Sequence, residues 1–162
     1  MLYDAELTYV MRSLRRLGVP EPELQDLAHD VFVVVYKRWE EFDRSRPARP
    51  WLFGIALRTA SRALERSWRR AEVPVGTEAM ESVPAAGGDG IEARELLLRA
   101  LASIPIDQRA VCILHDLDGQ SAPDIAAVLE VPLNTVYSRL RSARERLLAA
   151  LRSLEPGKGD TR

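Results

Sequence analysis

The chain is poor in the residues that most site chemistry needs. It has one cysteine, Cys112, and two histidines, His29 and His115, among 162 residues. A lone thiol cannot close an intramolecular disulfide, and these three side chains lack metal-ligand spacing. There is no glycine loop of the kind that cradles phosphate and no nucleophile with a base beside it. The expectation is therefore no enzyme, no cofactor and no metal. Long apolar runs are also missing: none approaches the roughly eighteen residues of a membrane span. The N-terminus lacks a basic stretch followed by an apolar one, so no signal peptide or membrane span is expected, and the chain reads as cytoplasmic. Aromatics make up only 6% of the residues, which favours compact helical packing over a large β core.

Net charge is nearly absent as well, at −1. That figure averages unlike segments. Eight arginines lie between Arg44 and Arg70 against one acid, Glu65. The stretch Ala71 to Gly90 holds four acids and no base, and Arg139 to Arg152 holds five arginines and one acid, Glu145. Local patches decide phosphate binding, so two basic surfaces separated by an acidic stretch are expected.

The acidic segment "EVPVGTEAMESVPAAGGDG" has prolines, glycines and small residues without a sustained apolar period, and reads as a flexible linker. On either side the periodicity is helical. Helices are expected over about 5–17, 22–42 and 51–70, then from 91, with a break at Pro105 and a stop near Gly119. In the second of these, Leu24, Leu27, Ala28, Val31, Val34 and Val35 share one face, so "VFVVVY" reads as helix despite its strand-like composition.

"GQSAPDIAAVLEVPLNTVYSRLRSARERL" carries the sharpest local pattern. Ser121 suits an N-cap with Asp124 three residues on, and Pro123 is tolerated in the first turn. After the turn at "EVPLN", Val136, Leu140, Ala143, Leu147 and Leu151 form a buried stripe. Tyr137, Ser138, Arg141 and Ser142 are left facing out, with Arg144 on the flank. A short helix, a tight turn and a second helix with polar and basic residues outward make a helix-turn-helix pattern, although a solvated amphipathic helix would look similar. Upstream, Arg58, Arg62 and Arg66 recur every four residues, and Arg69 or Arg70 extends the row, which suits a phosphate backbone. Trp39, Phe42, Trp51, Phe53 and Trp68 cluster beside it; such rings can stack unpaired bases or simply fill a core.

These two motifs together resemble one family. "DLAHDVFVVVYKRW" with "FDRSRPARPWLFGIALRTASRAL" resembles region two of bacterial sigma factors of the extracytoplasmic-function (ECF) group, within the sigma-70 family. "LLLRALASIPIDQRAVCILHDLDGQSAPDIAAVLEVPLNTVYSRLRSARERL" resembles their region four. The resemblance implies an all-α chain of two small helical domains: region two over 1–70, a flexible acidic linker over 71–90, region four over 91–153 and a polar tail over 154–162. It implies promoter-specific transcription initiation, with core RNA polymerase (β′ clamp helices and β flap), promoter DNA and an anti-sigma factor as partners. It also implies that Asp26, His29, Asp30, Phe32, Val33 and Tyr36 dock on the polymerase. Phe42, Arg46, Arg49, Trp51 and Arg58 would serve −10 capture and melting, and Arg62, Arg66, Arg69 and Arg70 would hold the backbone there. Thr135, Tyr137, Ser138, Arg141, Ser142 and Arg144 would face the −35 element.

The chain departs from the family pattern in places. Arg58 stands where many members carry asparagine, Tyr137 where many carry a basic residue, and Ala122 and Pro123 replace a common aromatic–acid pair. The resemblance also implies that the linker runs toward the polymerase cleft, where its acids mimic nucleic acid. Two other readings stay open on the residues themselves. One is a stand-alone LuxR-type regulator, although residues 1–70 are short and basic for a sensor. The other is a polymerase-binding protein that does not read promoters.

Overall fold

A computed structural model describes residues 1–71 and 89–154. The tail after Leu154 and nearly all of the expected linker lie outside the described residues. Those described form helices α1 (Leu2–Leu17), α2 (Leu24–Lys37), α3 (Ala48–Ala71), α4 (Asp89–Ala102), α5 (Ile106–Cys112), α6 (Ala122–Leu129) and α7 (Leu133–Leu154), with no strand among them. The all-α expectation is met.

Helices α1, α2 and α3 pack pairwise into one module. Val10, Leu14 and Leu17 of α1, Leu24 and Val31 of α2, and Leu52 and Phe53 of α3 are fully enclosed. Burying a side chain the size of Phe53 stabilises the module by about 2–3 kcal/mol. Gly18 ends α1 in a left-handed conformation (φ 107°). Its N–H and that of Val19 return to the carbonyls of Arg15 and Leu14 at 3.1 Å, closing off the helix end.

The helix expected over 22–42 is shorter and broken. A 3-10 turn over Glu21–Glu23 precedes α2, which stops at Lys37, and a second 3-10 turn covers Trp39–Glu41. Arg38 leaves helical geometry (φ −105°, ψ 13°), and Phe42 is extended. The break bends the chain back, so that Trp39 and Phe42 fold onto Trp51 instead of continuing away from it. Helix α3 begins three residues before its expected start, and Pro50 sits in its first turn, where a missing N–H costs nothing.

In the second module α7 packs on α4, α5 and α6. Ser121 caps α6 as expected: its Oγ accepts from the Asp124 N–H at 3.2 Å and donates to the Asp124 carboxylate at 2.8 Å. Val136, Leu140 and Ala143 are buried, and Leu147 and Leu151 are partly so. The helix expected to reach Leu117 widens into a π turn over Ile113–Leu117, and Gly119 then takes a positive φ of 72°.

The modules are docked on each other. Helix α1 meets α4 and α5, α3 meets α6, and buried residues of both modules belong to one continuous apolar cluster. Arg109 of α5 lies at the seam, 7% exposed. Its guanidinium donates to the carbonyl of Ile104 (2.7 and 3.2 Å), to that of Ala102 (3.3 Å) and to that of Leu17 in α1. Burial lowers its pKa, and what offsets the cost is the negative end of two helices, α1 and α4. A Cβ on Gly18 would stand 2.7 Å from Arg109 Nη1, so the close approach requires glycine. Arg109→Ala should lower unfolding stability by about 3 kcal/mol, because it orphans three carbonyls at once, and Arg109→Lys should recover only part. Urea denaturation measures this; a loss under about 0.5 kcal/mol for the alanine variant would remove Arg109 from this role.

Candidate nucleic-acid interface

The bend after α2 builds an aromatic platform. Phe42 stacks on Trp51 with centroids 4.8 Å apart and planes 29° apart, and Trp39 closes on both at 5.6 and 6.4 Å. The Arg44 guanidinium lies 5.5 Å over Trp39. All three rings are half-buried, whereas Phe53 is wholly in the core and Trp68 is 74% exposed. Phe42, Trp51 and Arg58 form one wall of a crevice of about 560 Å³, and Pro123, Val128 and Glu130 of the α6 segment form the other.

The arginines around this platform differ in what they touch. Arg46 pairs with Asp43 at 3.4 Å. Arg49 turns back to α1, where it pairs with Glu6 at 2.9 Å and lies 5.1 Å over the Tyr9 ring. Arg58 reaches Glu130 of the other module at 3.4 Å. Arg62, Arg66, Arg69 and Arg70 are exposed along the outer half of α3. The structure therefore joins Phe42, Trp51, Arg46 and Arg58 in one place, sets Arg49 apart, and extends the remaining four as a row.

On α7, Tyr137 (54% exposed), Ser138 and Arg141 face out, and Thr135 and Ser142 are half-buried. Arg144 is exposed but engaged: its Nε and Nη2 donate to Asp116 at 3.0 and 2.6 Å, tying α7 to the π turn. Those bonds hold the Asp116 carboxyl well below the usual range, at about 2, helped by His115 Nδ1 at 2.8 Å. Cys112 lies beneath this group, and burial, then the nearby Asp116 charge, pushes its thiol up to about 11.

A third surface lies on α2. Asp26, His29, Asp30, Val33 and Tyr36 are exposed, Tyr36 by 86%. Phe32 is largely buried under Tyr3, with centroids 4.6 Å apart. Tyr3 extends the surface onto α1; the sequence reading missed it because it sits in the first turn, before the α1 apolar period is established. Asp118 was missed too. It accepts from the Tyr9 hydroxyl at 2.8 Å and from Arg16 at 3.3 Å across the seam, a pairing that no local pattern announces. Burial first, and then the bond to Asp118, pushes the Tyr9 phenol well above its ordinary value, so it stays a donor. Among the described residues no group of acids, histidines and cysteine could hold a metal, and no helix is long and apolar enough to cross a membrane.

Comparison with known families gives two matches. Sigma-70 region 2 matches residues 2–70, and Sigma-70, region 4 matches residues 94–147. The chain belongs to the sigma-70 family. Its relatives place it in the ECF group. It is 32% identical over 152 residues to the RNA polymerase sigma factor CnrH of Cupriavidus metallidurans, covering 86% of this chain and 79% of that one. It is 30% identical over 146 residues to the ECF RNA polymerase sigma-E factor of Escherichia coli, covering 82% and 76%. Among solved structures it is similar to the sigma factor RpoE of Bartonella quintana, determined with the anti-sigma factor NepR (TM-score 0.70, 26% identity, 93% and 96% covered). It is also similar to CnrH determined with the cytosolic domain of CnrY (TM-score 0.67, 28% identity, 94% and 86% covered). The function is that of a promoter-directing sigma factor, which carries out no catalysis of its own.

The Arg144–Asp116 pair carries a pH signature. A depressed carboxyl adds stability that is complete above its unfolded pKa and is lost as pH falls toward the folded value. The chain should therefore lose stability between about pH 4 and pH 2 partly through Asp116, and Asp116→Asn should flatten that part of the profile. Urea midpoints against pH measure this; equal slopes for both proteins would dissociate Asp116 from the acid limb.

Proposed function

We propose a division of labour over three surfaces of this sigma factor. The Phe42–Trp51 platform, with Arg46 and Arg58, takes an unpaired −10 base, since stacked rings beside cations bind bases through both π faces and phosphates. Arg62, Arg66, Arg69 and Arg70 continue along the backbone of the same DNA; Arg49, turned to α1, supports the platform from behind. Tyr137, Ser138 and Arg141 enter the major groove at the −35 element, with Thr135 and Ser142 at the edges, and Arg144 sets the pitch of α7 from the flank. Asp26, His29, Asp30, Val33 and Tyr36, with Phe32 behind them, meet the β′ clamp helices of core RNA polymerase.

The observation that carries this reading is the half-exposed aromatic stack. Unlike Phe53, the stacked rings of Phe42 and Trp51 keep an accessible edge in the crevice, beside Arg46 and Arg58, where an unpaired base can reach them. The β flap is the expected contact of the second module, and promoter engagement places the protein in the cytoplasm with its polymerase. The domain limits proposed are 1–70 and 91–153, joined by the acidic stretch 71–90, whose charge suits a path near the polymerase's nucleic-acid channel. An anti-sigma factor is a further proposed partner, supported by the similar solved structure of RpoE, which is bound to the anti-sigma factor NepR. The stand-alone regulator is disfavoured because both sigma regions match in order along one chain.

The test is transcription with core polymerase on a promoter library. Selective initiation from a shared −35/−10 pair is expected. Phe42→Ala should then lower open-complex formation about tenfold, the loss of one base stack. Arg141→Ala should lower use of promoters with an intact −35 element by a similar factor and leave the −10 preference unchanged. Equal initiation by Phe42→Ala and the parent chain would dismiss the platform as the melting site.

A further inference from the structure

Glu130 ends α6 in a left-handed conformation (φ 56°, ψ 45°), and among the described residues it is the one non-glycine with positive φ. Glycine is the ordinary occupant of such a position, because a side chain there crowds the following carbonyl. A strained residue that persists invites a search for what its side chain does. Here the carboxylate leaves its own module and meets Arg58 Nη2 at 3.4 Å.

The setting of that contact matters. Two other arginines at the crevice, Arg38 and Arg46, pair with Glu41 and Asp43 of their own module. Arg58 takes its carboxylate from the other one. The same approach lays Val128 on Gly54, where an added Cβ would stand 3.4 Å from the valine methyl, so α6 lies along the α3 turn that carries Trp51 and Arg58. Docked in this way, α6 forms the wall that faces the aromatic platform across the crevice and narrows the approach to it. At the opposite side of the seam Asp118 binds Tyr9 and Arg16, so a second pairing supports the same arrangement.

We infer that Glu130 is an internal stand-in for promoter phosphate: its carboxylate occupies Arg58 while the modules are docked and keeps single-stranded DNA off the Phe42–Trp51 platform until it is displaced. The inference rests on the reading of that platform as the −10 site. The pair suits a releasable contact. Arg58 and Glu130 are 47% and 79% exposed, so their attraction is modest and screened by salt, and a phosphate offering the same charge can compete for Arg58. Arg58 would then have two alternating partners, a carboxylate within the chain and a phosphate outside it.

The experiment uses the full chain and Glu130→Gly, Glu130→Gln and Glu95→Gln. Glycine fits the left-handed position, so that variant should melt no lower than the parent. Glutamine keeps the side chain and removes only the charge. Glu95→Gln changes net charge equally on an exposed face of α4, which lines neither the crevice nor a proposed DNA surface. The probe is a fluorescein-labelled pool of random single-stranded DNA twelve-mers, read by anisotropy at low salt without polymerase. Both Glu130 variants should bind about two- to five-fold tighter than the parent, as expected for release of one exposed ion pair, and Glu95→Gln should not. The gain should vanish when Phe42→Ala is added. The charge-swapped chain Arg58→Glu with Glu130→Arg should keep the parent's radius of gyration by small-angle scattering and bind the pool more weakly. Unchanged binding in both Glu130 variants, or an equal gain in Glu95→Gln, would overturn the inference. Because transcription with core polymerase is scored separately, either result leaves the sigma-factor reading to stand or fall on its own test.

Discussion

The docking of the two modules turns on a buried cation that pairs with backbone carbonyls and, among the described residues, with no carboxylate. Arg109 sits in a seam between modules, and its planar fork collects carbonyls from the ends of α1 and α4, with Leu17 on one side and Ala102 and Ile104 on the other. An ammonium could not span these acceptors with fixed geometry, and an apolar side chain would leave them unpaired. Because the acceptors are backbone groups at helix ends, the guanidinium reads where each helix stops. Gly18 is part of that device: it ends α1 and leaves room for the guanidinium. This meeting point holds α4 and α5 against α1 together with the Asp118 pairings and the apolar cluster that runs across the seam.

Much of the local structure was legible from the residues alone. Ser121 with Asp124 announced the start of α6, the four–three–four spacing from Val136 to Leu147 announced the inner face of α7, and the period from Leu24 to Val31 outweighed the strand-like composition of α2. Each of these signals acts over one or two turns. The break at Arg38 was not legible, because 22–42 has no proline or glycine beyond its first residue to punctuate it. What ends α2 is the gain from gathering Trp39, Phe42 and Trp51, and Trp51 lies far along the chain. The docking of the modules was invisible for the same reason. Arg109 lies in "IDQRAV", which reads as an ordinary helix surface, and Asp118 looks like a turn residue until Tyr9 is brought to it.

The candidate site divides in the same way. The residue types were legible, arginines beside aromatics and a polar strip on α7, but their engagement was not. Arg49 and Arg144 belong to the same basic patches as Arg62 and Arg141 by sequence, yet each pairs with an acid of a different element, Glu6 of α1 and Asp116 of the π turn. Charge density along a chain therefore overstates the number of cations free to meet phosphate. The difference arises from single acids, Glu6 and Asp116, that the count of patches treats as background.

The thiol beneath the π turn sets a limit on how this protein can be controlled. Cys112 is 2% exposed, and with its pKa pushed up to about 11 it holds almost no thiolate near neutral pH. Thiolate and access are what peroxides and disulfide exchange require. In the folded chain the sole sulfhydryl is therefore a poor target for peroxide or disulfide exchange, and thiol-based control would first require the π turn above it to open.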